Sequence, residues 1–221
     1  MSDMTPAERA ERFLALLPDR LHDAPLPARL SVGDHVLNPD FTPVPGDAPL
    51  KEAAVLIGID VTEERARVVL TQRNAGLSAH AGQVAFPGGR IDPGEDAGTA
   101  ALREAEEEIG LRPQDAAVIG YLAPYASRTG YLVHGVVAHI RPRTAFRANP
   151  AEVDSIFFPG LDELIDPARM RMDTILFEGK MRHFYEIAYP GYRIWGVTAG
   201  IIRHWRETVF GPEEETLPGT S

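Results

Sequence analysis

The alternation of apolar and polar residues predicts a chain built mainly from strands, with a helix near each end and one in the middle. Short apolar runs bounded by turn-forming residues are typical of strands. The predicted strands cover residues 53–60, 65–73, 82–89, 116–122, 131–140, 153–159 and 182–189. A short polar turn separates the first two, which predicts a hairpin. Strands and helices follow one another without regular alternation, and this favours an α+β or layered α/β/α domain.

Three segments have the apolar spacing of helices. Near the N-terminus, Thr5 is placed as an N-cap, and Glu8 completes a capping box with it. Residues 195–210 carry apolar side chains at helical spacing and predict a helix that closes the core. Between them, residues 89–111 predict a loop followed by a helix that ends at Gly110.

Length and composition predict one large folded domain with short additions. The chain has 221 residues, of which 44% are hydrophobic and 24% are charged, as in ordinary globular proteins. We expect an N-terminal helix and proline-rich connector over residues 1–45, a main domain over 46–211 and a flexible tail over 212–221. The N-terminus lacks a signal-peptide pattern and no apolar run reaches the length of a membrane span, so we expect a cytoplasmic protein without a membrane partner.

Charge and cysteine content exclude several functions. The absence of cysteine rules out disulfides, thiolate zinc sites and cysteine nucleophiles. A net charge of −10 argues against nucleic acid as a partner, because phosphate backbones need a basic surface. A phosphate-bearing ligand would need local arginines or a metal ion to be tolerated by this chain.

The central helix carries an unusual group of acidic residues, "LREAEEEIG" at residues 102–110. Such runs commonly form a solvated helix face. On a helical wheel, however, Glu104 and Glu108 lie together beside the apolar stripe, while Glu107 lies further round and Glu106 points to solvent. Carboxylate oxygens suit Mg²⁺ or Mn²⁺ better than zinc, and a cation would cancel their repulsion. The apolar stripe consists of Ala101, Leu102, Ala105 and Ile109.

This segment resembles the Nudix box, in which a glycine, an arginine and several glutamates stand at fixed spacings. The resemblance implies a Nudix hydrolase: an α/β/α sandwich with a mixed β-sheet between helices, which splits a nucleoside diphosphate linked to another group. The matching residues are Gly89, Glu95, Arg103, Glu104, Ala105, Glu107, Glu108, Gly110 and Leu111.

The resemblance also implies a role for each box residue. Glu104, Glu107 and Glu108 become ligands of Mg²⁺ or Mn²⁺, with Glu107, Glu108 and Arg103 counted among the catalytic residues. Glu95 is expected to pair with Arg103 and brace the loop against the helix. The structural positions of the box are then Gly89, Glu95 and Gly110.

The residues before the box, "LTQRNAGLSAHAGQVAFPGG" at 70–89, resemble the coenzyme A diphosphatase branch of that family. Asn74 and Ser78 depart from the branch, which usually has Ser and Arg there. The implied reaction converts coenzyme A and water to adenosine 3′,5′-bisphosphate and 4′-phosphopantetheine. The matching residues are Leu70, Thr71, Arg73, His80, Gly82, Val84, Phe86, Pro87, Gly88 and Gly89.

Four further residues are candidates for the site, each with a plain structural alternative. Arg73 and Arg128 are candidates for binding phosphates or are structural arginines. His80 is a candidate for polarising a phosphate or is a structural histidine. Glu152 is a candidate general base or extra ligand, or an ordinary loop acid.

Three functions remain open from the sequence. The first is a metal-dependent coenzyme A diphosphatase, for which a homodimer is the expected assembly. The second is the same chemistry on another nucleoside diphosphate derivative, such as a nucleotide sugar, ADP-ribose, a dinucleotide or oxidised coenzyme A, and Ser78 favours it. The third is a non-catalytic nucleotide sensor, against which the complete set of glutamates argues.

Overall fold

Twelve strands and five α-helices make up the part of the chain that a computed structural model describes, namely residues 4–27, 32–39, 49–61, 65–76, 81–141, 144–177 and 179–212. The helices are α1 (Pro6–Leu16), α2 (Asp34–Leu37), α3 (Ala97–Ile109), α4 (Leu161–Leu164) and α5 (Val197–Phe210). The first six strands are β1 (Lys51–Val61), β2 (Ala66–Val68), β3 (Leu70–Arg73), β4 (Val84–Ala85), β5 (Gly88–Arg90) and β6 (Ala116–Tyr121). The others are β7 (Tyr125–Ala126), β8 (Tyr131–Ile140), β9 (Val153–Phe157), β10 (Met170–Phe177), β11 (Lys180–Tyr189) and β12 (Tyr192–Trp195).

A mixed six-stranded sheet forms the centre of the molecule. Its strands run in the order β2-β1-β8-β6, with β5 paired to β1 and β7 paired to β8. The pairing of β1 with β8 is parallel and runs from Lys51 opposite Tyr131 to Asp60 opposite Ile140, whereas the other pairings in this sheet are antiparallel. Two smaller antiparallel sheets have the orders β4-β3-β9 and β10-β11-β12.

The two faces of the central sheet pack against different helices. Ala54 and Leu56 of β1 belong to one buried cluster, which they share with the small side chains of α3. Ile57 and Ile59 belong to a second cluster on the other face, which contains Phe13 of α1 and residues of α5. This alternation is the period-2 pattern of a strand with both faces covered. The predicted layered α/β/α arrangement with a mixed sheet is confirmed.

Helix α1 begins with the predicted capping box and packs on α5. The Glu8 amide donates to Thr5 Oγ1 at 3.3 Å, and the Thr5 amide donates to Glu8 Oε2 at 2.8 Å. On its buried side, the Phe13 ring meets the Trp205 ring edge to face, with 4.9 Å between centroids. The proline-rich connector lies mostly outside the described residues, and in the part that is described no helix is long and apolar enough to cross a membrane.

Several predicted element boundaries are wrong, for identifiable reasons. The predicted strand 65–73 is two strands, because β2 pairs with β1 while β3 turns away to pair with β9. The predicted strand 82–89 is likewise split at Pro87, which has no amide to continue a ladder. The predicted helix 195–210 begins two residues later, at Val197, since Trp195 ends β12. Strands β7, β10 and β12 were not predicted as strands.

Candidate active site

The loop and helix that carry the acidic residues are fixed at both ends by capping. Asp96 is the N-cap, and its carboxylate accepts the Thr99 amide at 2.9 Å. Gly110 is the C-cap in the left-handed region, with φ of 68°, and its amide donates to the Glu106 carbonyl at 3.0 Å. A left-handed C-cap costs glycine little because it has no Cβ. The predicted end of this helix is therefore confirmed.

Gly89 and Glu104 make the closest contact between strand β5 and helix α3. Gly89 pairs with Ala54, whose side chain faces α3, so residue 89 presents its Cα hydrogens to the same helix. A Cβ at residue 89 would lie 2.4 Å from the Glu104 carboxylate carbon. Only glycine allows this carboxylate to lie directly against the strand.

Glu108 is the most buried carboxylate of the group, with a relative exposure of 2%. Its Oε2 accepts the Gly88 amide at 3.2 Å, and its Oε1 lies 3.4 Å from Arg73 Nη1. The pKa of Glu108 is raised to about 7, mainly by burial. The Gly88 amide and the charge of Arg73 act to lower this pKa, and the charges of Glu104 and Glu152 act to raise it.

Arg103 connects the acidic residues of loop and helix. Its guanidinium donates twice to Glu95, at 2.9 and 3.1 Å, and once to Glu104 at 2.9 Å. It also donates to the Arg90 carbonyl at 3.0 Å. The hydrogen bonds from Arg103 hold the pKa of Glu95 below its ordinary value. The expected pair between Glu95 and Arg103 is present, and it ties the loop to the helix.

Glu107 differs from its two neighbours because it faces solvent. Its side chain is 53% exposed and lies 3.4 Å from Arg103 Nη1. Among the described residues, no three His, Asp or Glu side chains lie close enough together to hold a metal ion without rearrangement. Arg103 contacts both Glu104 and Glu107. The donor set still suits a hard divalent cation, because it is all carboxylate. Burial raises the pKa of both Glu104 and Glu108, and a bound cation would offset this cost of burying negative charge.

The structure brings Glu152 to the acidic group. The charge of Glu152 raises the pKa of both Glu104 and Glu108, which places it in their neighbourhood. Its carbonyl accepts the Asn74 amide at 2.8 Å, and its Oε1 lies 3.3 Å from Asn149 Nδ2. The Asn149 amide in turn donates to the Glu108 carbonyl at 2.8 Å. The turn before β9 is therefore attached to the end of α3.

The other predicted substrate-binding residues are not seen beside the box glutamates. Arg128 donates its amide to Asp34 at 2.7 Å, and its guanidinium carbon lies 4.0 Å from the centroid of the Phe177 ring. These contacts are not with the box glutamates. Ser78 and His80 lie outside the described residues. Sequence reasoning gave no separate role to Gly88, whose amide holds Glu108; its position directly before the box glycine was the available signal.

Comparison with known proteins gives a consistent family. A family model for the NUDIX domain matches residues 51–178. A protein of Citrobacter koseri named "Uncharacterized Nudix hydrolase NudL" is 44% identical over 155 residues, which cover 69% of this chain and 80% of that protein. A protein of the same name from Photorhabdus laumondii is 40% identical over 160 residues, covering 72% and 85%.

Solved structures are similar over a shorter part of the chain. The crystal structure of a Nudix hydrolase from M. smegmatis, RenU, has a TM-score of 0.45 and 26% identity, covering 52% of this chain and 74% of that one. At that TM-score, the family assignment rests on the family model and on the curated relatives.

Proposed function

We propose that coenzyme A is the substrate of this chain, which belongs to the Nudix hydrolase family and hydrolyses a diphosphate linkage in a small molecule. The proposed products are adenosine 3′,5′-bisphosphate and 4′-phosphopantetheine. One observation carries the proposal. Arg73, from the segment that resembles the coenzyme A diphosphatase branch, lies 3.4 Å from Glu108 of the box, so the segment and the carboxylates belong to one site.

We propose that the carboxylates of Glu104, Glu107 and Glu108 hold Mg²⁺ or Mn²⁺. When bound, such a cation supplies charge neutralisation at the diphosphate and makes water a better nucleophile. Arg103 orients Glu104, because its hydrogen bonds to Glu95 fix the guanidinium. The Gly88 amide keeps Glu108 aimed at the edge of β5.

Arg73 and Glu152 complete the proposed chemistry. Arg73 is a cation beside a buried carboxylate, and a diphosphate oxygen is a stronger acceptor for its guanidinium than Glu108 at 3.4 Å. Glu152 is the proposed general base: one carboxylate oxygen takes a proton from the attacking water as the water oxygen bonds to phosphorus. The bond from phosphorus to the leaving phosphate oxygen breaks, and that oxygen leaves as a phosphate monoester.

A second candidate is the same reaction on another nucleoside diphosphate derivative, such as ADP-ribose, a nucleotide sugar or a dinucleotide. Ser78 favours it, because the loss of an arginine removes a cation that a substrate with several phosphates would use. The third candidate, a nucleotide sensor, has no need for the buried carboxylates around Gly88 and Gly89.

Steady-state hydrolysis with product masses tests the proposal. Coenzyme A, ADP-ribose and a diadenosine polyphosphate are each incubated with the protein in Mg²⁺, in Mn²⁺ and in EDTA. Release of 4′-phosphopantetheine that requires metal is the expected result. Turnover of the other substrates alone would replace coenzyme A by the second candidate, and no turnover of any of them would favour the sensor.

We also propose that the protein acts in the cytoplasm on this small molecule, as a homodimer and without nucleic acid or a membrane. Homodimers are the commonest oligomers of soluble proteins. Light scattering of the purified chain measures the oligomeric state directly, and a monomer mass would overturn that part.

A further inference from the structure

Two cations meet on one tyrosine next to the box glycine. Arg90 directly follows Gly89, and its Nε and Nη2 both donate to Tyr131 Oη, at 3.1 and 2.9 Å. Lys51 is the register partner of Tyr131 across β1 and β8, and its Nζ lies 5.8 Å from the centroid of the tyrosine ring. The three side chains therefore form one cluster at the end of the central sheet.

Among the described residues, neither cation of this cluster has an acidic partner. Within the part of the chain that the structure describes, no carboxylate lies at ion-pair distance from Lys51 or Arg90, whereas Arg73 and Arg103 are both paired. Both side chains are exposed. Both cations approach the same tyrosine, each 5.8 Å from the ring centroid, in a chain whose net charge is −10. An anion bound at this tyrosine would balance both positive charges.

The guanidinium of Arg90 also lacks the pair of acceptor oxygens that its donors are best suited to. Two parallel donors of a guanidinium match two oxygens of a phosphate, but here both point at a single neutral phenol oxygen. A phosphate dianion is a better acceptor than a phenol, since hydrogen bonds between charged groups are stronger. The site thus has the charge and the donor geometry for a phosphomonoester.

The position of the cluster relates it to the diphosphate site. Gly89 faces α3 and Glu104, whereas Arg90, paired with Ala53, faces the opposite side of the same strand. The backbone of Arg90 is fixed because its carbonyl accepts from Arg103. Two adjacent residues of β5 therefore face different sites: Gly89 faces the acidic residues of α3, and Arg90 faces the cationic cluster.

We infer that Lys51 and Arg90 bind the phosphate group that coenzyme A carries on its ribose, separate from the diphosphate that is cleaved. The inference rests on the proposed function for the identity of the substrate. Lys51 and Arg90 act in specificity: they distinguish a nucleotide with an extra phosphomonoester from one without it. They take no part in bond breaking.

The test compares coenzyme A with 3′-dephospho-coenzyme A, which keeps the diphosphate and lacks the ribose phosphate. In Arg90→Gln, KM for coenzyme A is expected to rise about tenfold or more, from the loss of charged hydrogen bonds. The value of kcat and the KM for the dephospho form stay within about twofold of the wild type. Lys51→Gln has a smaller effect in the same direction, and Arg90→Lys recovers part of the loss because it keeps the charge.

Two further variants show whether a change in KM comes from lost phosphate binding or from a change in structure or net charge. Tyr131→Phe removes the same hydrogen bonds as Arg90→Gln but leaves both cations, so it is expected to keep the preference for coenzyme A. Arg12→Gln removes an exposed cation on α1 and controls for net charge. An equal rise in KM for both substrates, or loss of the preference in Tyr131→Phe as large as in Arg90→Gln, would overturn the inference.

Binding measurements keep this test separate from that of the proposed function. If the wild type cleaves neither form of coenzyme A, the proposed function fails. Calorimetry with adenosine 3′,5′-bisphosphate and with AMP then judges the cluster alone. The bisphosphate is expected to bind wild type more tightly than AMP does and to lose that advantage in Arg90→Gln, and equal affinities in wild type would overturn the inference.

Discussion

The carboxylate of Glu104 occupies the space that any side chain on residue 89 would need, because an ideal Cβ there would lie 2.4 Å from the Glu104 carboxylate carbon. Gly89→Ala is therefore expected to displace Glu104 and to lower kcat at least about tenfold. The measurement is turnover at saturating substrate and metal.

A double-mutant cycle checks the cause of that loss. In a Glu104→Ala background the space is already vacant, so Gly89→Ala should add little further loss. Independent, additive effects of the two changes on kcat would contradict the contact as the cause.

Glu108→Gln is expected to abolish most turnover and to make the metal-free protein more stable at pH 8. Burial raises the pKa of Glu108 from 4.5 to about 7, so the folded state holds this proton more tightly than the unfolded state. The contribution of Glu108 to stability is fully present below pH 4.5 and is lost as pH rises through about 7, by on the order of 3 kcal/mol. Neutral glutamine avoids that loss.

Urea unfolding in EDTA between pH 4 and pH 8 measures this effect. Relative to Glu108→Gln, the wild type should lose free energy of unfolding as pH rises through about 7. Added Mg²⁺ should stabilise the wild type more at pH 8 than at pH 5, since the ion requires the deprotonated carboxylate. A wild-type curve as flat as that of the variant would contradict the burial argument.

Arg103→Lys is expected to lower kcat about tenfold or more while the charge is retained. A lysine ammonium lacks the planar fork that donates twice to Glu95 and once to Glu104. Arg112→Lys is a matched control, because the ion pair of Arg112 is with Asp115 and not with Glu95 or Glu104. Equal kinetics in the two variants would show that the fork has no catalytic consequence.

Phe13→Ala is expected to destabilise the fold by about 3–5 kcal/mol, because it removes a fully buried ring from the core. The value of kcat well below the melting temperature should not change, as the ring contacts Trp205 and not the acidic residues. Val36→Ala, at a position 62% exposed, serves as the control and should change the free energy of unfolding by less than about 0.5 kcal/mol.

Elements with strong local signals were predictable from the sequence. Helices α1 and α3 have their own caps, Thr5 with Glu8 in one and Gly110 in the other, and these caps are present in the structure. Strand β8 has the predicted bounds, 131–140, because it is buried on both faces and is apolar apart from His134 and His139.

Strand β10 could not be recognised from the same patterns. It lies at the edge of a small sheet, and its polar residues are paired across strands, as where Arg171 donates to Glu186 of β11 at 2.6 Å. Ile175 and Leu176 are exposed. The period-2 pattern that reveals a half-buried strand is therefore missing.

The candidate site also has features that the sequence predicts and features that it does not. The spacing of the glutamates predicted that Glu104 and Glu108 lie on one side of α3, and both meet β5 there. The burial of Glu108 and the cations around Tyr131 depend on which strand pairs with which, and a helical wheel contains no such information.

The parallel pairing of β1 with β8 affects how the protein is made. The two strands are about 80 residues apart in the chain, and α3 rests on both of them. Pairings over such separations form late and slowly, because the intervening chain must be closed into a loop first. A ribosome that has not yet released residue 140 therefore holds a chain whose box helix lacks part of its supporting surface. We therefore expect the chain to become active only late in synthesis, after most of it has left the ribosome.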